Sequence, residues 1–209
     1  MANPGSEGEH ELQRRHGTRK RALAFYEKQM LTYLNEDMRR YIQKQEMVFI
    51  STADSRGECD CSFRGGLPGF VRVLDENRLV FPEYRGNGVM ASLGNILENP
   101  HIGMWFGDFF DTTIGLHVNG KATIVEKEEM EKWTDLPESL AHDLAVSGGR
   151  KSERWIRVQV EEAYIHCSKH IPKLKRLDKA IHWGTDDDAC KGGDFFRASA
   201  PPREMTKFE

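Results

Sequence analysis

No apolar run in the 209 residues approaches the roughly 20 needed to cross a bilayer, so no membrane span is expected. Residues 1–10 have no apolar stretch either, and no secretory signal is expected. Neither sign of charge is in excess: 30 Lys and Arg against 33 Asp and Glu give −3. General nucleic-acid and membrane binders need a basic surplus, and neither partner is expected here. Cysteine is scarce. Four in a chain this long do not make a disulfide scaffold, so the expected setting is reduced and cytoplasmic. There is no Cys-x-x-Cys. Cys59 and Cys61 would share one face of a strand, and Cys167 follows His166, but Cys-x-Cys without a second pair is a weak zinc signal. Nothing orients a particular histidine against a particular cysteine for nucleophilic catalysis. The cysteines are read as small, partly buried residues, and no metal is expected. The dinucleotide fingerprint and the Walker A loop are also missing. Arg64-Gly65-Gly66-Leu67-Pro68-Gly69 is glycine-rich, but a strand-like segment follows it where a helix would be required.

What is present is mainly a β pattern. Residues 1–17 are polar, without periodicity, and read as a mobile arm. From Lys20, the residues Leu23, Tyr26, Met30, Leu34, Met38 and Tyr41 recur at three- and four-residue spacing, which predicts a helix packing its stripe on the core. Strands are expected at 47–52, 59–64, 69–74, 78–81, 102–106 and 113–125. In a further long strand, Ile156, Val158 and Val160 share one parity while Ala163 and Ile165 take the other; the change of phase at Glu161-Glu162 predicts a β-bulge. A short helix over 89–98 is stopped by Asn99-Pro100. Residues 126–144 are expected to be partly helical, broken at Pro137, and Ser147-Gly148-Gly149 to form a loop. Beyond Lys169 the chain is basic, then acidic at Asp186-Asp187-Asp188, and it carries Pro201-Pro202 near its end. No repeat and no second periodic core is read. About six strands, few helices and no alternating βα units favour an α+β antiparallel barrel over a Rossmann sheet. The expected organisation is an arm (1–17), a barrel domain with its N-terminal helix (18–168) and a C-terminal extension (169–209).

The most informative segment is Pro82-Glu83-Tyr84-Arg85-Gly86-Asn87-Gly88, between a strand and a helix. Glycines let backbone N–H groups face a ligand, and the helix that follows begins with unpaired N–H groups and a positive dipole end. Arg85 adds a charged fork and Ser92 lies just inside the helix, an arrangement that suits a phosphate as well as it suits a surface turn.

Asp60-Cys61-Ser62-Phe63-Arg64-Gly65-Gly66-Leu67-Pro68-Gly69-Phe70 resembles the D-x-S-x-R-G-x-x-P-G-F segment of the pyridoxamine 5′-phosphate oxidase-like flavin-binding split barrels. Phe81-Pro82, Arg85-Gly86-Asn87, Ser92-Leu93, Asn95-Ile96 and Glu98-Asn99-Pro100 are similar to that family's cofactor loop and helix, and Val118-Asn119-Gly120-Lys121-Ala122 to its V-N-G-[RK]-A strand. The likeness spans roughly residues 47–167. It implies a six-stranded antiparallel split β-barrel with flanking helices, usually a homodimer, with FMN in two clefts at the interface. It assigns Ser62, Arg64, Arg85, Asn87 and Ser92 to the phosphate and ribityl end. Pro82, Glu83 and Tyr84 would run along the flavin through their backbone, with Gly88 in the same loop. Gly115, Leu116 and His117 would lie near the ring from the same or the other subunit. Relatives often carry Asn-Arg where this chain has Gly88-Val89, and Arg where His117 stands. The substrate-phosphate signature of a vitamin B6 oxidase is missing, so that activity is not expected. The resemblance implies an FMN-dependent oxidoreductase acting on a small molecule. The alternatives are an F420-dependent reductase or a non-catalytic module holding flavin or haem. The flavin supplies the chemistry, and no catalytic acid or base stands out. Trp183, alone in a polar tail, has apolar surface to bury and is expected either to fold back toward the cleft or partner chain or to dock on the barrel wall.

Overall fold

The computed structural model describes residues 4–134, 136–137, 140–141, 144, 152–185, 187–190 and 193–199. The expected loop at Ser147-Gly148-Gly149, together with Asp186 and Pro201-Pro202, lies outside the described residues. Among the described residues there are six long strands: β2 (Met47–Ala53), β3 (Cys59–Gly65), β5 (Arg78–Tyr84), β6 (His101–Gly107), β7 (Gly115–Glu126) and β8 (Ser152–His166). Two-residue strands β1 (Met30–Leu31) and β4 (Arg72–Val73) complete an antiparallel sheet of order β3-β2-β6-β7-β8-β5-β4, with β1 on β8. The sequence predicts a longer strand at 69–74. Instead the chain makes a turn there: Gly69 takes φ +75 and donates its N–H to the Gln45 carbonyl, while Phe70 and Val71 drop into the core.

Alternation builds the barrel interior. Val48, Ile50, Met104, Phe106, Leu116, Val118, Val158 and Ala163 are buried, and the residues between them on β2, β6 and β7 are less so. The bulge falls where the phase changes: Asn119 pairs with Glu162 and Gly120 with Val160, leaving Glu161 as the extra residue. β3 and β5 are not hydrogen-bonded neighbours, so the barrel is split along the seam between them. Helix α4 (Ala91–Glu98) buries Leu93 and Ile96 against the core and is tied to the wall by Asn95, whose amide donates to Thr52 Oγ1 at 3.0 Å.

Three expectations are corrected. The segment read as an unpatterned arm contains α1 (Glu7–Arg15), started by a capping box in which Ser6 and Glu9 satisfy each other's backbone N–H groups. The continuous helix from Lys20 is in fact α2 (Arg19–Lys28), then β1, then α3 (Glu36–Gln43). Asn35 restarts the helix by accepting the Met38 N–H at 2.9 Å, so only Leu34, Met38 and Tyr41 of the stripe reach the core, while Tyr26 instead bonds Glu9 and Gln13 of α1. A second apolar cluster also exists, on the outer side of β5, β7 and β8: Val80, Val125 and Trp155 are covered by Met130, Leu140 and Leu144, with Met130 on the short α5 (Lys127–Met130).

Candidate functional site

Antiparallel register sets which residues of β3 look inward. Asp60, Ser62 and Arg64 stand opposite Thr52, Ile50 and Val48, all buried, and therefore share the inner face. They form a polar row along the seam. Arg64 is its centre. Its Nε donates to one Glu83 carboxylate oxygen at 2.9 Å and a terminal nitrogen to the other at 3.1 Å, with the two side chains 17% and 15% exposed. The remaining terminal nitrogen donates to Ser62 Oγ at 2.5 Å. This forked pair bridges β3 and β5 across the split. At the other end of the row, the buried Ser92 hydroxyl on α4 donates to Asp60 Oδ2 at 3.0 Å.

The loop after β5 opens outward. Pro82 is buried, Glu83 and Tyr84 are half-buried, and residues 85–90 are exposed. Gly86 and Gly88 have open space where a Cβ would stand, and Gly88 has φ +82, a conformation costly to other residues. Asn87 accepts the Val89 N–H at 3.0 Å. Met90, also left-handed at φ 58, precedes α4 without a side-chain cap, so the first helical N–H groups have no side chain to satisfy them. Ser62, Arg64 and Glu83 are thus brought together, and Ser92 joins the same row through Asp60, a residue not singled out as a site residue. Glu83 departs from its expected part, since its carboxylate and not only its backbone is engaged.

Gly115, Leu116 and His117 are elsewhere within this chain. β7 is three strand spacings from β3, about 14 Å. Gly115 and Leu116 are buried, and His117 is on the outer face, stacked on Tyr164 with ring centroids 4.8 Å apart. Burial, then the nearby charge of His166, holds the His117 imidazole below the usual histidine range. Outward aromatic rings run on from there: Trp105 meets His166 at 5.6 Å and Phe49 at 5.8 Å, and Phe49 meets Phe63 at 5.7 Å. The signal for this band was present as aromatics at the outward parity of β2, β3, β6 and β8.

Trp183 lies against the barrel. A Cβ on Gly65 would come within 2.8 Å of its ring, so the indole lies on the end of β3, next to Arg64. The tail reaches this point by way of the loop after β6. Leu174 donates its N–H to the Phe109 carbonyl at 2.7 Å, and Arg176 pairs with Glu46 at 2.9 Å while lying over the Phe110 ring. Beneath the tail is a cleft of about 430 Å³ lined by Tyr41, Lys44, Glu46, Asp108, Phe110 and Arg176, among others. Sequence reasoning did not find it, because its walls come from three separate segments. All four cysteines are free and exposed, not partly buried as expected. Among the described residues no helix is long and apolar enough to cross a membrane, and no group of three metal-binding side chains occurs.

The chain is similar in fold to HupZ of Group A Streptococcus (19% identity, 63% of this chain and 93% of that one, TM-score 0.46). It is also similar to HutZ, the haem storage protein of Vibrio cholerae (14% identity, 63% and 94%, TM-score 0.40), and to an F420 reductase (14%, 64% and 98%, TM-score 0.42). No curated protein matches it significantly. The family model of pyridoxamine 5′-phosphate oxidase matches residues 34–167, which run from the start of α3 through the last barrel strand. With more than half the chain matched and a split antiparallel barrel in place, this protein belongs to the pyridoxamine 5′-phosphate oxidase family.

Proposed function

We propose that the protein is an FMN-binding oxidoreductase acting on a small molecule, a homodimer with the cofactor between its chains. The observation that carries this reading is residues 85–91. An exposed arginine is followed by two glycines with open space at their Cα atoms and a helix whose first turn has no side-chain cap. Backbone N–H groups, the positive end of the helix and an arginine share this loop, a composition that suits a dianionic phosphate. Arg85 and Asn87 hold the phosphate, Asn87 with an amide NH2 as donor. Pro82, Glu83 and Tyr84 pair with β8 on one side, so the other side of their backbone opens onto the seam where the ribityl chain and ring would lie. Ser62 and Arg64 stand across that seam, with Trp183 at its end. Arg64 is already engaged by Glu83, and Arg85 stands in the loop that follows. Within one chain Gly115, Leu116 and His117 lie on β7, two strands from β5 and three from β3.

Bound FMN supplies hydride or electron transfer through its ring; the chain binds it, orients it and excludes water. The cleft under Arg176 adjoins the end of β3 and is the place for the small-molecule substrate, its mixed charges favouring a polar one. Four exposed free thiols support a reducing, cytoplasmic setting.

The test is the absorption spectrum of the purified protein, followed by titration of cofactor-free protein with FMN, riboflavin and F420. FMN should bind more tightly than riboflavin, which lacks the charged end, and Arg85→Ala should cost about 1.5–3 kcal/mol of FMN binding. Equal affinity for FMN and riboflavin, or a purified protein carrying F420 or haem, would overturn the assignment.

A further inference from the structure

On the outer face, β7 and β8 pair with His117 opposite Tyr164 and His166 opposite Gly115, which makes the two histidines diagonal neighbours across the strands. Nε2 of His117 lies 2.9 Å from Nδ1 of His166. Each ring is held by an aromatic neighbour, His117 stacked on Tyr164 at 4.8 Å and His166 edge-on to Trp105 at 5.6 Å. Neither nitrogen is engaged by a carboxylate, the usual partner that ties down a surface histidine. Within one chain the pair stands apart from the proposed cofactor loop, at the end of β8 beyond its pairing with β5.

We propose that His117 and His166 form a two-imidazole chelate for a divalent first-row transition-metal cation, with Cu²⁺ and Ni²⁺ favoured over Zn²⁺. Imidazole nitrogens bind such metals at about 2.0–2.1 Å, and two of them at 90° around one ion are about 2.9 Å apart. The observed separation is therefore that of adjacent ligands in a square-planar or octahedral site. A tetrahedral zinc site would need about 3.3–3.4 Å between them and usually more than two protein ligands. No third metal-binding side chain joins the pair among the described residues, so water fills the remaining positions. Small rotations of the two rings turn both lone pairs toward a common point. The shared proton moves, through solvent, to the far nitrogen of its own ring. A neutral pair thus takes up the metal with no net proton released. The Tyr164 and Trp105 contacts keep the rings close to this geometry before the metal arrives, which lowers the ordering cost of binding.

Ni²⁺ is the probe, because it is not reduced by the exposed thiols. Calorimetric titration of the full chain in a non-chelating buffer should show one strong equivalent per chain, with Zn²⁺ at least tenfold weaker. His117→Gln and His166→Gln should each weaken Ni²⁺ binding at least tenfold. Unchanged affinity in either folded variant, or Zn²⁺ binding as tightly as Ni²⁺, overturns the proposal. Should a variant fail to fold, the wild type still decides. Ni²⁺ should protect both His117 and His166, but not His101, from carbethoxylation read by mass spectrometry; equal modification with and without metal overturns it.

Discussion

Arg64 and Glu83 each stand in a short motif singled out in the sequence, but their partnership was not legible there. They are 19 positions apart, on strands that share no ladder, and only the curvature of the whole sheet brings them together. With both side chains mostly out of solvent, deleting either partner leaves a charge without its counterion. Arg64→Ala and Glu83→Ala should therefore each destabilise the fold by about 1.5–3 kcal/mol, the range for hydrogen bonds to charged groups. Because the loss is shared, the double variant should cost clearly less than the two singles together. Urea denaturation of the four proteins measures this, and simple additivity would show that the seam is held by something else. Ser6 and Asn35 teach the complementary lesson. Ser6-Glu7-Gly8-Glu9 is a readable capping box and Asn35-Glu36-Asp37 a readable helix start, yet low hydrophobicity hid the first and an unbroken apolar stripe hid the second.

The β7–β8 ladder shows what alternation can reveal in advance. The change of parity at Glu161-Glu162 located the bulge, but not why Gly120 faces it. A Cβ at Gly120 would collide with the Gln159 carbonyl oxygen and lie 3.0 Å from its carbon, and backbone cannot move aside as a side chain can. Gly120→Ala should cost at least about 3 kcal/mol. Gly94 is the control: it is mid-helix in α4 with nothing within 4 Å, so Gly94→Ala should stabilise by about 0.5–1 kcal/mol. Similar thermal stability for the two variants would refute the collision. The loop after β6 has a different fastening. Burial opposes the Asp108 charge, but hydrogen bonds from Thr112, through both its N–H and its hydroxyl, and from the amides of Asp111 and Phe110 outweigh it and hold the carboxyl at about 2. The folded value is below the ordinary carboxylate value, so the loop's stabilisation is complete above about pH 4 and disappears as pH falls toward 2. Asp108→Asn should remove that acid dependence, read as amide exchange of residues 110–112 from pH 5 to 2. A wild-type profile flat over that interval would show that Asp108 does not fasten the loop.

Most of the long strands and the α4 stop were readable because each rests on local alternation or on Asn99-Pro100. The seam, the tail's return to Gly65 and the cleft under Arg176 were not, since each joins segments remote in sequence. Assembly is the remaining question for the molecule as a whole. Phe63, Leu67, Val89 and Met90 are 50%, 52%, 72% and 50% exposed, and all four belong to the segments that carry the proposed cofactor site. Isolated exposed apolar residues need no explanation, but several on neighbouring segments suit a surface that a partner would cover. A second copy placed on these residues would cover them, burying the ~1,000 Å² or more that a stable interface requires. The FMN-loaded protein should therefore sediment at twice the 24.0 kDa chain mass. Combining Leu67→Glu with Met90→Glu introduces two charges per chain into that contact without touching the barrel core. This variant should sediment as a single chain and bind FMN at least tenfold more weakly, while its far-UV dichroism stays unchanged. Full FMN affinity in a single-chain species would show that one copy completes the site unaided.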